Sequence, residues 1–429
     1  MSTTITSIYG MHDHIFPDTI LWEFIETKIK NILKNYGYYE IKIPIVEKQQ
    51  LFQQTIGEYT DIITKEMYNL YDKNGEILTL RPEGTTGCIR AIIENNLLYS
   101  TNNRLWYIGP MFRYERPQQG RYRQFYQIGI ETFGLPEPYI DCEIIIITYN
   151  IWKKLNIIDY VALEINSIGS ITIRQNYINQ LILFLKNNIH LLDSDSINKI
   201  NTNPLRILDS KNYNTQQLLI KAPKLEEYLD EKSINNFNKL CQMLKKMNIK
   251  FNINNNLIRG LDYYNDIVFE WTTKNIGASK TICGGGRYND LIKKMSCKND
   301  INGMGCAIGI ERVLLLIKKV HAINFSLHNK IDICLIPMTN DHILYQTIQI
   351  REKILNHFPH LKIIISYFFS NIKKQIIKAI KYNTHFVFII GIKEIKTQTI
   401  TIKDLYQKKQ INIPNNKLII ILSDLLNNK

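Results

Sequence analysis

Two hydrophobic rhythms alternate along the first third of the chain. Ile20, Phe24, Ile25, Ile29, Ile32 and Leu33 recur at helical spacing, so residues 19–36 are expected to form an amphipathic helix that stops at Gly37. "YEIKIPIVE" then alternates with period two and predicts a strand, with Pro44 at an edge or bulge. "EILTLRPEGTTGCIRAIIENN" predicts strand, turn and helix, and "RLWYIGPMFRYE" and "RQFYQIGIETFG" predict two strands joined by a short loop. Residues 141–155 have helical spacing.

From about 170 to 252 the pattern is helical and Asn-rich, with the character of an insertion. "LIRGLDYYNDIVFEWTT" and "KTICGGGRYNDL" restore strand and Gly-turn character, and "GMGCAIGIERVLLLIKKV" predicts a strand entering a helix. Beyond about 328 the rhythm changes again. "KIDICLIPM", a helix over 342–357, "LKIIIS", a helix over 371–382, "HFVFIIGI" and "QTITIKDL" predict a separate α/β domain behind a short polar linker near 321–330.

Length and composition agree with that division. At 429 residues and 45% apolar content, two or three packed domains are expected. The longest apolar runs are strand-sized, well short of the ~18 residues of a membrane span. The N-terminus has no charged-then-apolar leader, so a cytoplasmic protein with no membrane association is expected. The cysteines at 88, 142, 241, 283, 297, 306 and 334 are dispersed, which argues against a disulfide framework or a zinc site. His12 and His14 flank an aspartate in "MHDHIFPD", and a pair so close to a terminus reads as solvated; no metal site is expected.

Charge changes the picture. The net charge is +14, and residues 330–429 hold fifteen Lys/Arg against six Asp/Glu, so +9 lies in the last hundred residues. A concentrated positive field points to a polyanion, nucleic acid first; compositional drift in an Ile/Asn/Lys-rich chain is the other reading.

The candidate chemistry centres on "RYERPQQGRYRQF", where Arg113, Arg116, Arg121 and Arg123 crowd one loop. A guanidinium fork matches phosphate oxygens, so the base of the loop suits a nucleotide and its tip a larger polyanion. In the strand that follows, alternation places Arg123, Phe125, Gln127, Gly129 and Glu131 on one face. That face has the character of a ligand floor, although a half-exposed polar sheet face would look the same. Familiar nucleotide fingerprints do not fit: no phosphate-binding G-x-x-x-x-G-K-[ST] occurs, and "GMGCAIG" departs from the dinucleotide pattern by one residue.

Taken together, these stretches resemble the class II aminoacyl-tRNA synthetases, and among them the histidine-specific branch. "FRYERPQQGRYRQF" resembles their motif 2, "GIERVLLL" motif 3 and "YEIKIPIVEKQQLF" motif 1; "RGLDYYNDIVFE" and "CGGGRYNDL" resemble the histidine branch's two signatures, and "TLRPEGT" its amino-acid loop. The resemblance implies an α+β fold: a class II core of antiparallel sheet flanked by helices over 1–325, the helical insertion, and an α/β anticodon-binding domain over 328–429. It implies ATP with Mg²⁺, L-histidine and tRNA(His) as ligands, and a homodimer built through Ile43, Pro44 and Ile45.

Carried over by position, the resemblance gives Arg113 and Arg259 the catalytic roles and a share in binding histidine, Arg113 on the ATP α-phosphate and the histidine carboxylate, Arg259 against the α-phosphate in place of a metal ion. Glu115 and Phe125 would hold adenine, and Arg312 the γ-phosphate. Glu83, Thr85 and Gln127 would hold the amino end of histidine. Glu131 and Tyr264 would grip its imidazole, with Tyr263 lining that pocket and Gly284–Gly286 admitting the substrate. Arg116 and Gln118 would meet the tRNA acceptor end. Three local departures stand out: Gly284 where the pattern has alanine, Asn289-Asp290 where it has Asp-Gly, and Asn265-Asp266 where it often has Thr-Gly. Two rivals share the core, a regulatory subunit of ATP phosphoribosyltransferase and another class II synthetase. The retained arginines and basic tail oppose the first, and "RGLDYY" with Glu131 opposes the second.

Overall fold

The computed structural model describes residues 4–57, 60–97, 103–210, 212–277, 280–296, 301–321, 330–338, 341–367 and 371–427. Cys297 and most of the linker expected at 321–330 lie outside the described residues. The chain forms two compact units, residues 1–15 with 21–322 and residues 16–20 with 323–429.

The strands, in chain order, are β1 (Tyr39–Glu40), β2 (Val46–Lys48), β3 (Tyr68–Tyr71), β4 (Ile77–Leu80), β5 (Arg104–Phe112), β6 (Gln124–Phe133), β7 (Ala162–Ser167), β8 (Asn252–Ile253), β9 (Asn265–Thr272), β10 (Thr281–Arg287), β11 (Gly303–Gly309), β12 (Ile333–Pro337), β13 (Ile363–Ile365), β14 (Phe386–Ile390), β15 (Thr399–Asp404) and β16 (Lys409–Pro414). In the larger unit an eight-stranded sheet runs β1-β5-β6-β11-β10-β9-β7-β8. Its inner pairings, β5 to β6 through β9 to β7, are all antiparallel, and the short β1 and β8 add in parallel at the edges.

The first helix spans Asp18–Asn35, and Gly37 follows it at φ +76°. Its buried stripe is Leu21, Ile25, Ile29 and Leu33, while Phe24 faces outward. "YEIKIPIVE" is not one strand. It splits at Pro44 into β1 and β2, which join different sheets, and β2 pairs with β4 and β3 in a three-stranded sheet. A proline has no N–H to give a ladder. The Ile43 and Pro44 carbonyls turn instead to the buried Arg81 guanidinium, at 2.9 and 3.2 Å.

The stretch after β7 is helical at Ile171–Asn187, Ser194–Lys199, Tyr213–Leu219 and Glu231–Lys246. Each helix has a side-chain N-cap, Ser170, Asp193, Asn212 and Asp230 respectively, which explains how so Asn-rich a segment still punctuates into helices. Tyr177, Leu181 and Leu185 pack into the same buried cluster as Tyr263 and Tyr264.

The smaller unit is a five-stranded sheet, β13-β12-β14-β15-β16. β12, β13 and β14 are parallel and read as continuous apolar runs, as strands covered on both faces do; β15 and β16 add antiparallel. Two buried clusters, one around Ile333, Phe386 and Phe388 and one around Cys334, Val387 and Ala379, give this unit its own core.

Candidate active site

A cavity of about 390 Å³ opens over the central strands of the large sheet. Its wall brings together Glu83, Thr85, Arg113, Glu115, Phe125, Gln127, Arg259, Tyr263, Tyr264, Gly284 and Arg312, residues spread over more than 220 positions of sequence. Arg116 and Gln118 do not line it. They border an adjoining groove of about 560 Å³, which shares Asp61, Glu66, Glu115 and Arg121 with the cavity.

The floor is β6 beside β5. Phe125 and Gln127 face the cavity, and the space beside Gly129 is filled from the neighbouring strand. Tyr107 pairs with Gly129 across the ladder, and a Cβ on that glycine would lie 2.0 Å from the Tyr107 ring. Arg123 leaves this face: its guanidinium lies over the Tyr114 ring at 3.7 Å and its Nε donates to the Glu115 carbonyl at 3.3 Å.

Glu131 lies one layer behind the wall and is fully buried. Its Oε1 accepts from the Thr85 hydroxyl at 2.8 Å and more weakly from Tyr107 at 3.3 Å, and its Oε2 accepts from Tyr288 at 2.5 Å. Burial pushes the carboxyl up to about 8, against the pull of these hydroxyl donors. Gly305 makes room, since a Cβ there would meet Glu131 Oε2 at 1.9 Å.

Glu83 caps the helix Thr85–Glu94, accepting from the Thr85 and Thr86 amides at 2.7 and 2.9 Å. A carboxylate on the exposed donors of a helix start is held in one orientation. The Tyr263 hydroxyl donates to it at 3.4 Å. Gln127 Oε1 is buried with no hydrogen-bond partner among the described residues.

The arginines are each tethered. Arg113 donates from Nε to the Pro82 carbonyl at 2.9 Å, and its guanidinium stands over the Phe125 ring at 5.3 Å. Arg259 is ion-paired to Glu270, whose other oxygen accepts from the Thr281 hydroxyl at 2.7 Å. Arg312 donates to the Thr281 carbonyl at 2.7 Å and to the Gly120 carbonyl at 2.8 Å. Thr281 therefore joins the two arginines, its hydroxyl through Glu270 and its carbonyl directly. Burial, with Arg121 next in effect, lowers Arg312 to about 10, so it stays a cation at neutral pH.

"CGGG" is part of β10 rather than a turn, and the side chains it makes room for are the protein's own. A Cβ on Gly284 would lie 2.4 Å from the Arg259 guanidinium, and one on Gly286 2.9 Å from the Tyr264 ring. Tyr264 is fixed from outside the core as well: Arg174, on the helix Ile171–Asn187, donates to the Tyr264 and Asp262 carbonyls at 2.5 and 2.9 Å. Asp266, where Thr-Gly would put a glycine, has φ +48°. Aspartate tolerates that region better than most residues, and Ser233 donates to its carboxylate at 3.0 Å.

Tyr107, Tyr288, Glu270 and Thr281 were not singled out from sequence. Tyr288 stands two residues after the glycine run, and Tyr107 sits opposite the one glycine of the floor strand; both signals are visible only once the register is known.

A family profile described as histidyl-tRNA synthetase matches residues 10–313. The chain belongs to that family. A second profile, described as an anticodon binding domain, matches residues 332–425. The chain is 46% identical over 420 residues to the histidine–tRNA ligase of Buchnera aphidicola subsp. Schizaphis graminum (strain Sg), covering 98% of this chain and 97% of the relative. It is 47% identical over 408 residues to that of Blochmanniella pennsylvanica (strain BPEN), covering 95% and 92%.

Among solved structures it is similar to apo S. aureus histidyl-tRNA synthetase, with a TM-score of 0.78 and 29% identity over 97% of this chain and 99% of that one. A Bacillus halodurans C chain described as an ATP phosphoribosyltransferase regulatory subunit/histidyl-tRNA synthetase has a TM-score of 0.64 at 17% identity, over 91% of this chain and 99% of that one. At that identity the likeness is one of fold. As in other histidyl-tRNA synthetases, the fold is α+β with a C-terminal anticodon-binding domain.

Proposed function

We infer that the chain is a histidine–tRNA ligase, a class II enzyme that attaches L-histidine to tRNA(His) through a histidyl-adenylate, releasing pyrophosphate and AMP. The observation that carries this reading is the family match along nearly the whole chain, and one cavity gathers the side chains that such chemistry needs.

The histidine carboxylate is already ionised at neutral pH and needs no general base. One of its oxygens attacks the α-phosphorus of ATP, the bond to the bridging oxygen breaks, and pyrophosphate leaves. The 3′-terminal hydroxyl of the tRNA then attacks the activated carbonyl and AMP leaves. Catalysis of this kind is positioning plus charge stabilisation.

Arg113 and Arg259 take the α-phosphate and the carboxylate, Arg312 the γ-phosphate, and Glu115 and Phe125 the adenine. ATP enters with Mg²⁺ on its phosphates as substrate. Glu83, Thr85 and the unpartnered Gln127 Oε1 receive the ammonium group. Glu131 accepts the imidazole N–H in place of Tyr107, whose 3.3 Å bond is the weakest of its three. Tyr264 supports the ring from the other side. Arg116 and Gln118, in the adjoining groove, meet the acceptor end of the tRNA.

The C-terminal unit reads the anticodon; its charge and profile match support that role. Ile45, Val46, Leu70, Tyr71 and Ile77 are exposed on and beside the three-stranded sheet, apolar area that suits a two-fold homodimer. A cytoplasmic location fits a translation enzyme, and no described helix is long and apolar enough to cross a membrane. Pyrophosphate exchange run with each amino acid in turn tests the reading, and exchange that does not depend on histidine would end it. A monomer mass in light scattering at micromolar concentration, with full activity, would end the dimer proposal.

A further inference from the structure

The histidines of "MHDHIFPD" are not idle. Residues 4–16 contain no helix or strand, and Ile5, Ile8 and Tyr9 are largely exposed, yet Gly10 directly after them is buried. Its carbonyl accepts from the Arg123 amide at 2.7 Å. The Arg123 carbonyl accepts in turn from the Arg113 amide at 2.9 Å, so Gly10 extends the ladder at the base of the arginine loop by one bond.

Gly10 is at φ +86°, and a Cβ there would lie 2.7 Å from Pro117 Cγ and 3.0 Å from Arg123 Cγ. It therefore touches both limbs of the loop. The Arg123 guanidinium lies over the Tyr9 ring at 5.6 Å, and His12 meets Tyr122 edge-on at 4.8 Å. His14 packs on Trp22 at 4.5 Å and reaches Glu311 at 3.9 Å. From the opposite side the loop is held by Arg312 on the Gly120 carbonyl.

We propose that residues 8–14 are a clamp that positions the 113–125 loop, with Gly10 as its positioning residue, and that the clamp sets the affinity for ATP. The proposal rests on the assignment of Arg113, Glu115 and Phe125 to ATP. Backbone freedom at Gly10 is essential to it, because any other residue meets both the left-handed φ and the two limbs. A loop ordered in advance loses less freedom on binding.

The test uses Gly10→Ala in the full chain and, as a second variant, deletion of residues 2–12. Each should raise the ATP KM about ten-fold, the size expected for losing a hydrogen bond and its packing, with a smaller rise in the histidine KM, because Glu115 and Phe125 serve only ATP. Deuterium exchange in the ligand-free protein should rise in peptides spanning 113–125 and stay unchanged in 128–133, which a general loss of stability would not produce. Unchanged exchange in 113–125, or an unchanged ATP KM in the deletion variant, would overturn the clamp. Arg113→Ala serves as the separate control: if it leaves pyrophosphate exchange intact, the ATP assignment has failed, whereas the exchange result judges the clamp independently.

Discussion

Tyr288 donates to Glu131 behind the cavity wall, at 2.5 Å, from the residue that follows the glycine-rich strand to the C-terminal part of β6. The bond fixes one carboxylate oxygen and leaves the other, shared by Thr85 and Tyr107, turned toward the cavity wall. A carboxylate so held has one oxygen to offer a ring N–H.

Glu131→Gln keeps the shape and removes the ionisable group, which burial holds at about 8 in the ligand-free protein and which a ring N–H draws toward the carboxylate on binding. The histidine KM should rise about 100-fold, the order expected for leaving a buried ring N–H without its carboxylate acceptor, with the ATP KM nearly unchanged. Kinetics with each substrate varied in turn would check this. A rise in the ATP KM alone would move Glu131 to the nucleotide side.

The same substitution carries a pH signature. Burial raises the Glu131 carboxyl from 4.5 to about 8 in the folded protein, so its contribution to stability is present below the ordinary value and is lost as pH rises through about 8. Glutamine does not titrate. The melting temperature of the ligand-free wild type, relative to Glu131→Gln, should therefore fall by several degrees between about pH 5 and pH 9. A flat difference would mean that Glu131 is not raised.

Arg259 and Glu270 should behave as a unit. Arg259→Ala removes a donor aimed at developing charge and should cost about 3 kcal/mol or more in activation, about 100-fold in pyrophosphate exchange, with a smaller effect on ATP binding. Glu270→Gln leaves the cation but loosens it, and about a ten-fold loss is expected. The double variant should be no worse than Arg259→Ala, because the second change removes only support for a group already gone. Additive losses would mean that Glu270 acts on its own.

The parts of this molecule that were legible in sequence share a cause. β5, β6 and β14 alternate or run apolar over five or more residues, and the arginine loop between β5 and β6 has a composition that packing does not explain. The parts that were not legible depend on pairing. "YEIKIPIVE" alternates throughout, yet Pro44 divides it between two sheets. Three glycines look like a turn, but here they form a strand because Arg259, Tyr264 and Cys306 need the space beside it. The strand β7 and the last strand and helix, β16 and Leu418–Asn427, were not read at all. Arg123 shares the parity of Phe125 and Gln127 but leaves their face, because Tyr114 and Gly10 take hold of it. Periodicity reports which face a residue occupies; it does not report which neighbour arrives there.

The two units should also divide the work. Residues 330–429 carry +9, have their own buried clusters and match an anticodon-binding domain, while every residue assigned to adenylation lies before residue 313. Deleting the chain after about residue 325 should leave histidine- and ATP-dependent pyrophosphate exchange measurable and greatly weaken charging of tRNA. The loss should appear as weaker tRNA binding with a flatter dependence on salt, because lysine contacts to phosphate go with the domain and fewer counterions are released. Weaker binding alone does not identify an anticodon reader, since any basic domain supplies affinity. The deciding comparison is between tRNAs that differ only in the anticodon. The full-length enzyme should discriminate a histidine anticodon from a substituted one, and the truncated enzyme should charge both equally poorly. Discrimination that survives truncation would assign anticodon reading to the larger unit and leave the basic domain as a general holder of tRNA.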